Sequence, residues 1–328
     1  MQRDQKYRLG NDFMNATKTF KTPTLGRSVK LLWYFKENWD LYVMLLPALA
    51  VIIIFAYLPM YGIIMAFQNF NPVQGIADSP WVGLQHFERF FGTPTAMRVI
   101  SNTIILSLQT IAFTFPAPII LALMVHYCIS KRLAKIVQTA SYIPFFIATV
   151  VLVGMMHIFF SPSVGIVNHA IEAIGGERQV FMADSAWFRP LYVGSRVWQG
   201  TGFAAIIFIA ALSGVDPTLY EAATLDGASK WHRIWHIDLP TITPTIIIML
   251  ILSLGQVMSI GFEQVFLMQN PRNTAVSEII ATYVYRMGLL EGRFSFAAAV
   301  GLFNSVVNFV LLVVVNRLAR MITSNSLW

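Results

Sequence analysis

The sequence predicts an all-α, polytopic membrane protein with six transmembrane helices, and three observations carry this prediction. First, 56% of the 328 residues are hydrophobic and only 12% are charged, whereas a typical soluble domain has about 25% charged residues. Second, six stretches with few or no charged residues are long enough to cross a bilayer. Third, Lys and Arg concentrate on one side of these stretches. The charges are too few for the surface of a soluble fold or for a disordered chain.

The six stretches are predicted to be helices because backbone groups in lipid must form hydrogen bonds within their own segment. The period-two alternation of a membrane β-barrel is absent from the sequence. In chain order the predicted spans are 41–67, 99–128, 136–160, 191–215, 239–268 and 294–316. The fourth span contains Arg196 and the fifth contains Glu263, and an ionisable group inside a span is a functional candidate by default.

The distribution of basic residues predicts the orientation of the chain. Fifteen of the 23 Lys and Arg lie on one side of the spans and seven on the other, and the side rich in Lys and Arg faces the cytoplasm. Both termini are therefore expected to be cytoplasmic. The predicted parts are a basic cytoplasmic arm (1–40), the first span with an outer loop (41–97), a domain of five spans (98–318) and a cytoplasmic tail (319–328). The net charge of +7 thus reflects topology, and no nucleic-acid partner is expected.

The cytoplasmic loop 214–240 contains helix signals that a simple connection between two spans does not need. Asp216 followed by Pro217 predicts a helix start, and Gly227 predicts its end because glycine adopts the left-handed conformation. Ser229 predicts the cap of a second short helix, ahead of the fifth span at Leu239. That second helix carries an apolar face made of Trp231, Ile234 and Trp235.

This loop resembles the signature of the membrane subunits of binding-protein-dependent ABC importers. The matching residues are Glu221-Ala222-Ala223, Gly227 and the run Ile237-Asp238-Leu239-Pro240. The stretches 83–87, 102–103, 261–266, 283–286 and 294–302 are similar to the branch that imports oligo- and polysaccharides, alginate importers included. At position 86 this chain has His where that branch usually has Asn. The resemblance covers most of the chain and implies the type I ABC importer permease fold.

The resemblance also implies the partners. They are a second, non-identical permease subunit, two ATPase subunits, a periplasmic binding protein and a saccharide, with the complex in the bacterial inner membrane. The sequence has no Gly-x-x-x-x-Gly-Lys-[Ser/Thr] loop, so ATP and Mg²⁺ are expected on the ATPase and no cofactor in this chain. The family's loop inserts into a cleft of the ATPase. The residues expected to couple the two are Glu221, Ala222, Ala223, Asp226, Gly227, Trp231, Ile234 and Trp235.

Polar side chains within the spans are the candidates for the saccharide path, because sugars need hydrogen bonds and apolar stacking together. They are Arg196, Gln256, Ser259, Glu263, Gln264, Asn304 and Asn308. Two interpretations stay open at this point. Glu263 and Arg196 contact substrate or instead pair with each other, and the two asparagines contact sugar or join helices.

Two other function classes compete with the importer. Glu263 and Arg196 would also suit an ion- or proton-coupled secondary carrier, and transport without nucleotide would distinguish that class. A membrane-embedded enzyme would need clustered catalytic acids near the interface, which the sequence lacks outside the fourth loop. His232 and His236 have the spacing of two zinc ligands, but Arg233 stands where a zinc protease has Glu. We therefore expect a docking surface there and no metal site.

Overall fold

The computed structural model describes residues 38–255, 257–258 and 260–322, except for the side chains of residues 319 and 322. The basic arm up to residue 37, the end of the tail, Gln256 and Ser259 lie outside the described residues. Within those ranges the chain is helical, with two isolated β-bridges and no strand. The helices are α1 (Trp39–Ile52), α2 (Gly75–Asp78), α3 (Gln85–Phe91), α4 (Pro94–Thr114), α5 (Pro116–His126), α6 (Lys131–Tyr142), α7 (Thr149–Phe159), α8 (Ile166–Ala173), α9 (Ser185–Ser213), α10 (Pro217–Leu225), α11 (Lys230–Arg233), α12 (Leu239–Leu254), α13 (Phe262–Met268), α14 (Thr274–Ser277), α15 (Ile280–Tyr285) and α16 (Phe294–Ile322).

The described residues confirm the prediction of an all-α protein with six spans. Five helical stretches are long and apolar enough to cross a membrane: Trp39–Phe67, Pro94–His126, Ser185–Ser213, Lys230–Leu254 and Phe294–Leu318. The third predicted span corresponds to two helical pieces, Lys131–Phe146 and Thr149–Phe159, which meet at an angle of 100°. Taken as one broken span, they bring the number to six.

The bend in the third span has a local cause. Pro144 lies in a short 3₁₀ turn, Ile143–Phe146, that follows α6. The next two residues, Ile147 and Ala148, are extended, with ψ angles of 122° and 143°. The chain therefore leaves the helix for two residues before α7 begins. Gln199 of α9 donates from Nε2 to the carbonyl of Ile147 at 2.8 Å, which satisfies an oxygen that the bend frees.

The fifth span differs from the sequence prediction of one helix over 239–268. The helix ends at Leu254 and helical structure resumes only at Phe262. The hydroxyl of Ser107 in α4 donates to the carbonyl of Val257, and the N–H of Met258 donates to Oδ1 of Asn308 in α16 at 2.9 Å. Side chains of the second and sixth spans thus replace hydrogen bonds that the break removes.

The chain divides into two compact units, residues 1–61 and 62–328. The described part of the first unit contains α1. The second unit contains three apolar clusters. One surrounds Phe90, Tyr283 and Phe296, a second surrounds Leu106, Met156 and Tyr192, and the third lies near the loop 214–240. Its buried members are Ala122, Ala205, Phe208, Leu212 and Ile242.

The segment between α13 and α16 is anchored on the start of the second span. Asn102 donates to the carbonyls of Ala275 and Glu278 at 2.9 and 3.2 Å, and Thr103 Oγ1 accepts from the N–H of Ile280 at 2.9 Å. The side chain of Glu278 is only 2% exposed and pairs with both Arg98 and Arg286. The Asn-Thr pair therefore holds a packed segment at the start of the second span.

Candidate functional site

The loop between the fourth and fifth spans has the helix ends that its sequence predicts. Asp216 caps α10 by accepting the N–H of Thr218 at 2.9 Å, and Pro217 is the first helical residue. Hydrogen bonds from the backbone and side chain of Thr218 lower the pKa of Asp216. Gly227 has a φ of +71°, and the N–H of Ala228 donates to the carbonyl of Ala223 at 2.8 Å. This arrangement is a Schellman motif, in which glycine avoids the penalty of a left-handed residue.

The second helix of the loop begins as predicted and ends differently. Ser229 caps it, with Oγ accepting the N–H of His232 at 3.4 Å. The sequence predicts a separate short helix before the fifth span. Instead α11 continues through a π-helical turn, Ile234–Asp238, into α12, so that Lys230–Leu254 is one helical stretch. A force applied to the second helix of the loop would therefore be transmitted to the fifth span through one continuous helical stretch.

The surface of the loop is acidic and aromatic. Glu221 and Asp226 are exposed and form no ion pair with any residue that the structure describes. Trp231 is 71% exposed and Trp235 is 63% exposed, although tryptophan is mostly buried in proteins. Ile234 is half-buried and contributes less to this surface than the apolar face predicts. Ala222, Ala223 and Gly227 have small side chains or none. They therefore add little bulk to this surface.

A polar cavity of about 630 Å³ lies where the third and fifth spans are broken, within the range of about 300–1,000 Å³ typical of ligand sites. Arg196 and Glu263 both line it, and neither forms an ion pair in the described part of the chain. The remaining lining residues are Thr110, Thr114, Phe145, Phe146, Ile147, Ala148, Thr149, Gln199, Gly200, Ala204 and Ser253. Their mixture of polar and aromatic groups suits a ligand with hydroxyls and apolar faces.

Three of the four hydroxyl side chains in the cavity wall are held by their own helices. Thr110, Thr114 and Ser253 donate to the carbonyls four residues earlier at 2.7–2.8 Å, so each oxygen keeps its lone pairs for another donor. The ring of Phe145 stacks on Phe203 with centroids 3.9 Å apart, and Phe146 is 76% exposed. The cavity thus offers acceptors on one wall and an aromatic surface on another.

The other predicted path residues occupy different places. Gln264 is buried and donates to Ser195 Oγ at 2.6 Å. Asn308 bonds the backbone of the break in the fifth span, as the helix-joining interpretation expects. Asn304 is half-buried, and its Oδ1 has no hydrogen-bond partner among the described atoms. Arg196 and Glu263 therefore line one cavity, whereas these three side chains are not among its lining residues.

The residues predicted from the sequence to line the path did not include Gln199 or the two phenylalanines at the bend. Gln199 follows Arg196 by three residues and so lies on the same helix face, a signal that was available. Phe145 and Phe146 adjoin Pro144, but the sequence does not show that the bend turns them toward the fourth span. Their role requires the tertiary structure.

Known proteins resemble this chain in sequence and in structure. Residues 90–324 match the family model described as "Binding-protein-dependent transport system inner membrane component". The chain belongs to this family. It is 42% identical over 291 residues to the polygalacturonan/rhamnogalacturonan transport system permease protein YteP of Bacillus subtilis (strain 168), covering 89% of this chain and 91% of that protein.

Two solved structures have the same fold. A chain of a bacterial ABC transporter involved in the import of the acidic polysaccharide alginate is 40% identical, with a TM-score of 0.84 over 90% of this chain and 99% of that chain. A chain of a bacterial alginate ABC transporter in complex with an alginate pentasaccharide-bound periplasmic protein is 39% identical, with a TM-score of 0.84 over 91% and 100% of the two chains. This family member is thus a permease of an ABC importer.

Proposed function

We propose that the substrate of this importer is an oligosaccharide that contains uronic acids, and that this chain forms part of its path through the cavity at Arg196 and Glu263. The observation that carries the proposal is the guanidinium of Arg196, which faces a polar cavity without a carboxylate partner in the described residues. Arginine binds carboxylates with a planar pair of donors. Alginate and polygalacturonan, which the names of similar proteins mention, are both polymers of uronic acids.

The carboxylate of Glu263 has a complementary task in this proposal. It lines the same cavity as Arg196 and accepts hydrogen bonds from sugar hydroxyls, while Phe146 offers its exposed ring to an apolar sugar face. One positive and one negative group then bind a carboxylate and a hydroxyl of the same saccharide. This arrangement supports import of a charged sugar more directly than ion coupling, and family membership sets the secondary carrier aside.

The partners proposed for the chain are those that the resemblance implies. A solute-binding protein delivers the saccharide from outside, a second and non-identical permease completes the path, and two ATPase subunits hydrolyse ATP. The chain lies in the bacterial inner membrane with both termini and the loop 214–240 in the cytoplasm. Glu221 and Asp226 then pair with basic groups of the ATPase, and Trp231 and Trp235 pack into its groove.

The substrate proposal is tested with Arg196→Gln and Arg196→Lys in the complete importer reconstituted in vesicles. A charge-assisted hydrogen bond contributes about 1.5–3 kcal/mol, so uptake of an oligogalacturonate or oligoalginate at limiting concentration should fall about 10- to 100-fold in Arg196→Gln. Arg196→Lys keeps the charge and should retain more uptake. Arg178→Gln is the control, because Arg178 pairs with Glu172 on an exposed loop. Wild-type uptake of both acidic saccharides by Arg196→Gln would refute the proposal.

The coupling role of the loop has its own test. Glu221→Ala and Gly227→Val should insert in the membrane and lose the ATPase during purification, or hydrolyse ATP without moving saccharide. Gly227→Val adds a branched side chain at a φ of +71°, which distorts the turn. Wild-type copurification and uptake in both variants would exclude docking through this loop.

A further inference from the structure

Asp238 is fully buried at the base of the loop 214–240 and accepts two short hydrogen bonds. The hydroxyl of Tyr127 donates to Oδ2 at 2.5 Å, and the hydroxyl of Tyr220 donates to Oδ1 at 2.5 Å. Asp238 forms no ion pair with a described residue. Its carboxyl group is therefore held by two tyrosines, one on each oxygen.

The three residues come from three different elements. Tyr127 directly follows α5, the last helix of the second span, and Tyr220 lies in α10, one residue before Glu221. Asp238 ends the π-helical turn that leads into α12 of the fifth span. The ring of His126 lies 5.7 Å from the ring of Tyr220 and 5.1 Å from that of Tyr127. A single carboxyl group thus joins the loop helix to the ends of two spans.

Apolar packing alone would hold these elements together less specifically. The neighbouring cluster of Ala122, Leu212 and Ile242 already brings the second, fourth and fifth spans into contact. A buried carboxyl group is expensive to desolvate, and apolar side chains of similar size often stabilise such a site better. Its two directional bonds instead fix α10 in one orientation relative to both spans. A fixed orientation of α10 matters where movement of the loop must be transmitted to the spans.

We propose that Asp238, Tyr127 and Tyr220 form a positioning tether, which makes the loop helix α10 and the inner ends of the second and fifth spans move as one body. This inference rests on the proposed docking of the loop on the ATPase. When the ATPase displaces α10, the bond through Tyr220 pulls Asp238, and thereby the fifth span. The bond through Tyr127 carries the second span along. Both spans contribute walls to the cavity, through Thr110 and Ser253.

Tyr220→Phe and Tyr127→Phe test the tether, because each removes one hydroxyl and keeps the ring. In the complete reconstituted importer, the saccharide taken up per ATP hydrolysed should fall about tenfold in Tyr220→Phe, as expected for loss of one charge-assisted hydrogen bond. The fall should be similar in Tyr127→Phe, with copurification of the ATPase unchanged. Tyr142→Phe is the matched control, since its hydroxyl forms no hydrogen bond in the described part of the chain. Asp238→Asn should lower the saccharide taken up per ATP hydrolysed at least as much. If this variant does not fold, the two tyrosine variants alone test the tether.

The outcomes separate the tether from the function on which it rests. Wild-type uptake per ATP in both tyrosine variants would overturn the tether, and so would a lower yield of complex with an unchanged ratio, which indicates a purely structural role. A lower ratio at normal yield supports it. If Glu221→Ala also keeps wild-type copurification and coupling, the docking function itself fails. If only the tyrosine variants behave as wild type, the loop still docks and the tether alone is wrong.

Discussion

The crossing of the third and fourth spans depends on a glycine, and its replacement is a stringent test of the fold. A Cβ atom placed on Gly202 of α9 would lie 1.9 Å from the carbonyl oxygen of Ser141 in α6. Contacts of real Cβ atoms are essentially never shorter than 3.0 Å, so the two helices would have to separate by at least about 1.1 Å. The obstacle is backbone, which no side-chain rotation removes.

Gly202→Ala should therefore destabilise the protein at the upper end of the usual range for overpacking, by about 3 kcal/mol. The displacement would also disturb the stack of Phe145 on Phe203 and hence the cavity wall. Thermal unfolding of the purified protein in detergent measures the stability, and uptake in vesicles measures the consequence. Gly194→Ala on the same helix is the control, because its Cβ would meet no atom within 4 Å. A Gly202→Ala protein as stable as Gly194→Ala would show that this crossing is looser than the structure has it.

Two further predictions concern the charged and phenolic groups outside the cavity. Glu278→Gln removes the buried carboxylate that pairs with Arg98 and Arg286. Both arginines are partly exposed and Arg286 keeps a contact with Glu291 at 3.8 Å, so the stability should fall by about 1.5 kcal/mol, the lower end of the range for hydrogen bonds to charged groups. Glu172→Gln, at an exposed ion pair, should lower it by less than about 1 kcal/mol; equal unfolding temperatures would contradict this. Burial, and then the bond to Asp238, raises the pKa of Tyr127 and Tyr220 above 10.0. Because the pKa of each tyrosine is higher in the folded than in the unfolded protein, their contribution to stability is complete below about pH 10 and is lost as the pH rises from there toward the raised pKa. Between about pH 10 and 12 the wild type should therefore lose more stability than a variant with both tyrosines changed to Phe; parallel losses would exclude this contribution.

The helical fold, both ends of the first loop helix and the start of the second could be predicted because local signals determine them. Asp216, Pro217, Gly227 and Ser229 each act on backbone groups a few residues away. Such interactions depend on the order of residues alone. The number of spans follows likewise from the length of apolar runs.

The breaks in the third and fifth spans could not be located in the same way. The run 239–268 remains apolar through the break, and the groups that satisfy its backbone are Ser107 and Asn308, distant in sequence. Gly255 and Gly261 are compatible with a bend in the fifth helix, but neither determines where the helix ends. Pro144 is a residue at which a helix can kink, but the surroundings of the bend include Gln199 and the close approach of Gly202 to Ser141, which are distant in sequence. The cavity lies at both breaks and was therefore only partly predictable.

The broken spans explain how the polar residues within the membrane divide their tasks. Each break frees backbone groups that lipid cannot satisfy, and the neutral side chains of Gln199, Ser107 and Asn308 bond them. Two ionisable groups, Arg196 and Glu263, take no part in these bonds and line the cavity instead. A neutral amide or hydroxyl suffices to replace a backbone hydrogen bond, whereas a charge inside a span is justified only by a charged or strongly polar partner. In the proposed function, that partner is the saccharide in transit.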